Sequence, residues 1–85
     1  MHVFIFRSCR DHSIAGFTTK RSDKNLPARF GPWEPLGDSA IHTGDPIPGL
    51  PGGANAVMNG IDQEGFYAAR TFVRLGRFPF PRKDR

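Results

Sequence analysis

The sequence predicts an α+β domain: a small mixed or antiparallel sheet of three to four strands with one helix packed on one face. Three observations lead there. Residues 2–8 and 66–75 are rich in aromatic and β-branched side chains, which suit a pleated, half-buried surface. Ala54, Val57, Met58 and Ile61 recur at i, i+3, i+4 and i+7, one apolar stripe at helical spacing. A chain of 85 residues with ten glycines and eight prolines suits one turn-rich domain, and a domain this small buries only roughly 60–65% of its unfolded surface. Its core therefore depends on eight Phe, one Tyr and one Trp, each burying roughly 150–250 Å² when packed.

His2–Ser8 (HVFIFRS) reads as the first strand. Val3, Ile5 and Arg7 share one face and His2, Phe4 and Phe6 the other, so both faces are apolar at the centre and an interior strand is expected. Cys9–Ser13 is a turn, and Ile14–Lys20 (IAGFTTK) a second strand completing a hairpin. Gly16 within it marks a bulge or a close backbone approach.

The stretch NLPARFGPWEPLG, residues 25–37, holds three prolines and the only tryptophan. Pro27, Pro32 and Pro35 each fix φ and restrict the preceding residue to extended geometry. Phe30, Trp33 and Leu36 recur every third residue, which a polyproline-like path would place on one side. This segment is expected to be a strap sealing the core, with Trp33 as its plug. Residues 38–53 lack periodicity and are rich in glycine and proline, so a mobile connection is expected there. Its Pro48–Pro51 spacing is a P-x-x-P without flanking basic residues.

Ala54–Glu64 is the expected helix, with Gly65 placed as its C′ residue and Gly60 on its polar side at a cost of about 1 kcal/mol relative to alanine. Phe66–Leu75 (FYAARTFVRL) is the expected last strand. Its odd positions, Tyr67, Ala69, Thr71, Val73 and Leu75, carry no charge and should face the helix. One domain over residues 1–76 follows, with a flexible basic tail at 77–85 in which Phe78 and Phe80 could still latch.

A net charge of +4 is unevenly laid out: residues 1–30 carry six basic side chains against two acidic, residues 31–65 none against five, and residues 66–85 six against one. A single cysteine, Cys9, excludes an internal disulfide. The start MHVFIFRSC lacks a basic n-region, and no apolar run approaches the roughly 18 residues of a membrane span. A cytoplasmic location is expected.

The elements also resemble those of short uncharacterised bacterial proteins. In that type a hydrophobic first strand ends in Arg-Ser, here Val3–Ser8, and an F-x-T segment follows, here Phe17–Thr19. Leu26-Pro27, Gly31-Pro32-Trp33 and a helix entering Gly65-Phe66 complete the likeness over most of residues 3–75. The resemblance implies a domain of its own kind and brings no activity to any residue.

Chemistry is sparsely signalled. Cys9 and His12 stand three apart, but two ligands do not make a zinc site, and His2 and His42 lie at no telling spacing. Arg7 and Arg10 beside Cys9 would favour a thiolate, yet no group is specified to orient a base. Histidines and arginines permit acid–base work on phosphates in principle, but nothing fixes a pair. Pro51-Gly-Gly-Ala offers only the generic anion site of a helix N-terminus. No catalytic residue, metal or cofactor is expected.

The more concrete expectation concerns the sheet face turned away from the helix. It would display Phe66, Arg70, Phe72 and Arg74, beside either Val3, Ile5 and Arg7 or Phe4 and Phe6. Such a face suits a non-enzymatic protein-binding or self-associating domain, with sheets packed back to back in a homodimer and Glu34 or Asp38 at the rim. The alternative is a single-stranded nucleic-acid-binding module in which aromatics stack bases and arginines hold phosphates.

Overall fold

The computed structural model describes residues 1–47 and 49–71. Strands β1 (His2–Ser8), β2 (Ile14–Thr18), β3 (Trp33–Ala40) and β4 (Tyr67–Arg70) and one helix, α1 (Gly53–Glu64), make up the regular structure there. The strands form one antiparallel sheet in the order β3-β1-β2-β4. The α+β fold class is as expected, and β1 and β2 are its interior strands.

Register assigns the faces. Ile5 stands opposite Phe17, and Phe17 opposite Tyr67. These side chains, with Val3 and Ala15, turn toward α1, where Ala54, Val57 and Ile61 complete a buried cluster. Tyr67 and Ala69 pack against the same cluster. Within the described part of the last strand, the odd positions therefore face the helix as the alternation predicts. Gly65, at φ +85°, ends α1 and donates its N–H to the Ile61 carbonyl, the left-handed cap a glycine makes at least cost.

The opposite face is covered as well. Residues 23–25 and 28–30 form two short 3₁₀ turns that carry Leu26 onto the sheet. Leu26 and Trp33 join Phe6 and Ile14 in a second buried cluster, rimmed by Phe4, Phe30, Phe66 and Ala68. Gly16 lies under both: a Cβ there would stand 2.9 Å from Leu26 Cδ2 and 3.0 Å from Trp33 Cζ3. The glycine marks a close approach, without a bulge. Trp33 satisfies its one polar atom within the strap, its indole N–H donating to the Pro27 carbonyl at 3.0 Å.

One expectation for the strap needs correction. Trp33, Pro35 and Leu36 lie in a β-strand, so a three-residue repeat does not align Phe30, Trp33 and Leu36. Trp33 and Phe30 belong to the strap-side cluster, whereas Leu36 packs on the helix side. A strand alternates sides at every residue, so positions 33 and 36 fall on opposite faces. At Leu36 itself a β-bulge intervenes, because Ile5 pairs with Gly37 and Phe6 with Pro35 and leaves Leu36 as the extra residue. Gly37 sits there at φ +146°, a backbone region that side chains disfavour.

Residues 38–47 and 49–53 contribute to the strand and to the core. Residues 38–40 complete β3, and Ile41, Ile47 and Leu50 are buried in the helix-side cluster. Backbone bonds tie them down, with Ile41 and Met1 exchanging N–H···O contacts and Ala54 N–H donating to the Asp45 carbonyl. Pro48, residues 72–76 of the expected strand and domain, and the expected tail at 77–85 lie outside the described residues.

The polar-side assignment of Gly60 also changes, because Tyr67 lies against it. A Cβ at position 60 would meet Tyr67 Cδ1 at 2.5 Å and Tyr67 Cβ at 3.0 Å. Helix propensity favours alanine by about 1 kcal/mol, but Tyr67 Cβ is fixed by the β4 backbone and overpacking costs roughly 1–3 kcal/mol. Gly60→Ala is therefore expected to lower stability in urea denaturation; an increase would show that Tyr67 moves freely. Gly16→Val, which puts branched carbon where Trp33 and Leu26 meet the sheet, should cost about 2 kcal/mol and lower the melting temperature by roughly 10 °C.

Candidate functional site

The backbone pattern of β4 leaves an open sheet edge among the described residues. Thr71 N–H donates inward to the Ser13 carbonyl, and in an antiparallel ladder such bonding residues alternate. Ala69 and Tyr67 therefore bond inward to β2, while the N–H and C=O groups of Ala68 and Arg70 point outward. No strand among the described residues lies beyond them.

Grooves flank this edge on both sides. One, of about 390 Å³, separates β4 from α1 and is lined by Asn59, Gly60, Gln63, Phe66 and Tyr67 among others. The other, of about 260 Å³, separates β4 from the strap and is lined by Ile14, Arg29, Phe30, Ala68, Ala69 and Arg70. The outer edge of β3 is different. Pro35, the bulge at Leu36 and the charged Glu34 and Asp38 interrupt it, the devices that discourage added strands.

The expected partner-face residues do not gather. Phe66 lies half-buried at the rim of the strap-side cluster, and Arg70 is exposed on the same side. Arg7 turns to the helix side, opposite Ala15, and pairs with Glu34 across the β1–β3 ladder. Arg7 and Arg70 thus stand on opposite faces. Phe66 and Ala68 share the strap side with Phe4 and Phe6, with β2 between the two strands. Phe72 and Arg74 lie outside the described residues.

Arg70 is held by its own chain. Its guanidinium donates to Ser13 Oγ and pairs with Asp11 at 3.0 Å. Asp11 in turn accepts the Ser13 N–H at 3.0 Å and the Ser13 hydroxyl at 2.7 Å. These hydrogen bonds from Ser13, then the Arg70 charge, hold the Asp11 carboxyl below its ordinary pKa. Asp-x-Ser is a recognisable side-chain-capped turn, so this half of the arrangement carried a sequence signal. The arrival of Arg70, 57 residues from Ser13, carried none.

Buried Ser8 forms a second hub. Its hydroxyl donates to the Phe30 carbonyl at 2.6 Å and accepts from Arg10 N–H and Asp11 N–H. Two ring contacts were also unsignalled: the Arg21 guanidinium lies over Phe4 at 5.3 Å and that of Arg29 over Phe30 at 4.9 Å.

The groups weighed for catalysis are scattered. His2 pairs with Asp38, His42 lies beside Asp45, and His12 is exposed in the β1–β2 turn. Cys9 is exposed, its sulfur 3.9 Å from a Glu34 oxygen. Among the described residues, no group of three or more His, Cys, Asp or Glu side chains could hold a metal ion. Amides at the start of α1 are already engaged, Ala54 with the Asp45 carbonyl and Ala56 with that of Gly52. No helix of the described residues is long and apolar enough to cross a membrane.

No protein-family model matches this chain, and neither does any curated protein or solved structure. Residue roles therefore rest on the geometry.

Asp11 gives a pH test. Its folded pKa lies below the unfolded value of about 3.9. The carboxylate thus stabilises the fold above that pH, and the contribution fades as pH falls through the folded value. The melting-temperature gap between wild type and Asp11→Asn should be widest near neutrality and close on acidification. A gap independent of pH would show that the charge is immaterial.

Proposed function

We propose that this chain is a small non-enzymatic protein-binding domain that joins a second copy of itself edge to edge through β4. The outward backbone groups of Ala68 and Arg70 carry this reading. Helix and strap cover the two sheet faces, so back-to-back packing of sheets gives way to continuation of the sheet. An added antiparallel strand would satisfy those groups.

The local sequence is self-complementary about Ala68. With Ala68 opposite its counterpart, Phe66 faces Arg70 of the second copy, and Arg70 faces Phe66. Arginine meets an aromatic ring instead of a like charge, a favourable cross-strand pair. Alanine at the centre lets the two backbones approach without a side-chain collision. A closed two-fold pair results, with no further β4 edge left to propagate it.

Two proline variants separate the outer edge from the inner ladder. Proline is tolerated in an edge strand where its missing N–H faced outward. Ala68→Pro should leave the melting temperature nearly unchanged but yield a monomer in sedimentation velocity at every concentration. Ala69→Pro, which deletes a bond to β2, should destabilise the domain itself. Wild type is expected to show mass increasing with concentration. A strictly monomeric profile up to about 1 mM, the weakest association of interest at roughly 4 kcal/mol, would overturn self-association.

A further inference from the structure

We infer that the outer surface of the strap binds single-stranded nucleic acid through side chains, and not through the backbone groups of β4 on which the dimer reading rests. Charge is the first observation. Arg10, Lys20, Arg21, Lys24 and Arg29 are all exposed, and none enters an ion pair among the described residues. Arg7 and Arg70, by contrast, have carboxylate partners. Over residues 10–30 the opposing acids are Asp11, already held by Ser13 and Arg70, and Asp23. Against Asp23, these five cations outside ion pairs leave the stretch net positive, which attracts an anionic chain.

The second observation is the arrangement of rings. Phe4 and Phe30 lie half-buried on the rim of one cluster, on the strap side of the sheet. Each carries a guanidinium over its face, Arg21 on Phe4 and Arg29 on Phe30. A ring anchored in a core fixes the arginine above it at low entropic cost, and the planar guanidinium then offers both a stacking surface and a fork of phosphate donors. Arg29 and Phe30 also line the groove beside β4, together with Arg70. A base entering that groove would meet flat groups and cations together.

This chemistry selects among polyanions. An acidic peptide would use the charges and leave the stacked groups idle. Duplex DNA is read by a helix or β-ribbon inserted in its major groove, and residues 19–32, between β2 and β3, hold two 3₁₀ turns and neither α-helix nor strand. Unpaired bases use both features, through stacking with limited sequence preference and backbone neutralisation. The surface differs from the open sheet face expected from sequence, since it lies on the segment that closes that face.

Fluorescence anisotropy with an oligothymidylate of about 15 nucleotides tests the inference on the full chain. With three to four phosphates contacted, affinity should fall about 20- to 50-fold between 50 and 200 mM salt. Arg21→Gln with Arg29→Gln, both at exposed positions, should weaken binding and make the logarithmic salt slope shallower by about 1.4. Phe30→Leu keeps an apolar residue on the cluster and should weaken binding roughly tenfold at fixed salt with the slope unchanged. Circular dichroism melting checks that each variant folds, and the arginine pair decides the question if Phe30→Leu does not. Three results would each overturn the proposal: no binding at low salt, duplex of equal length bound as tightly as the single strand, or binding indifferent to the arginine pair.

Discussion

The absence of a side chain at Gly16 sets the geometry of the strap side of the sheet. Leu26 and Trp33 reach the backbone of β2 because nothing projects from it there. Phe6 and Ala68 flank the same glycine from the neighbouring strands, so four side chains converge on one bare position. Had residue 16 carried a branched side chain, the tryptophan would stand off the sheet and the strap would lose its seat. Closure of the second face thus depends on a hole in the pattern as much as on the groups that fill it.

The two faces are closed by different means. On one, a regular helix presents Ala54, Val57 and Ile61 at constant spacing, supported by Ile41, Ile47 and Leu50 from the connection before it. On the other, an irregular segment does the same work with a few large groups, its backbone satisfied locally by short turns and by the Trp33 indole. Burial on both sides explains why every residue of β2 is buried. It also moves any interaction surface away from the sheet faces, toward an edge strand and the outside of the strap.

Local patterns in the sequence matched local structure well. The helix expected over Ala54–Glu64 matches α1 within one residue, and the strand expected over His2–Ser8 is β1 over its full length. The odd and even positions around Tyr67 divide between the faces as read. Features set by distant partners were not legible. A three-residue spacing suggested a polyproline-like path, but pairing of Trp33–Ala40 with β1 makes this segment a strand, whose two-residue period sends Leu36 to the opposite side from Trp33. Gly60 looked solvent-facing since nothing in a helical wheel anticipates Tyr67 returning against it. Arg7 and Arg70 stand on opposite faces, and the strand register that separates them is set by partners distant in the sequence.

Ser8 has a consequence for how the domain loosens. One hydroxyl fastens the strap through the Phe30 carbonyl and the β1–β2 turn through two amides. Withdrawing that oxygen removes a partner from three part-buried polar groups at once, so one loss weakens both segments although 22 positions separate Ser8 from Phe30. Whatever pulls on the strap from outside is thereby felt in the turn that holds Arg70, and the far strand of the sheet is mechanically connected to the loop above it.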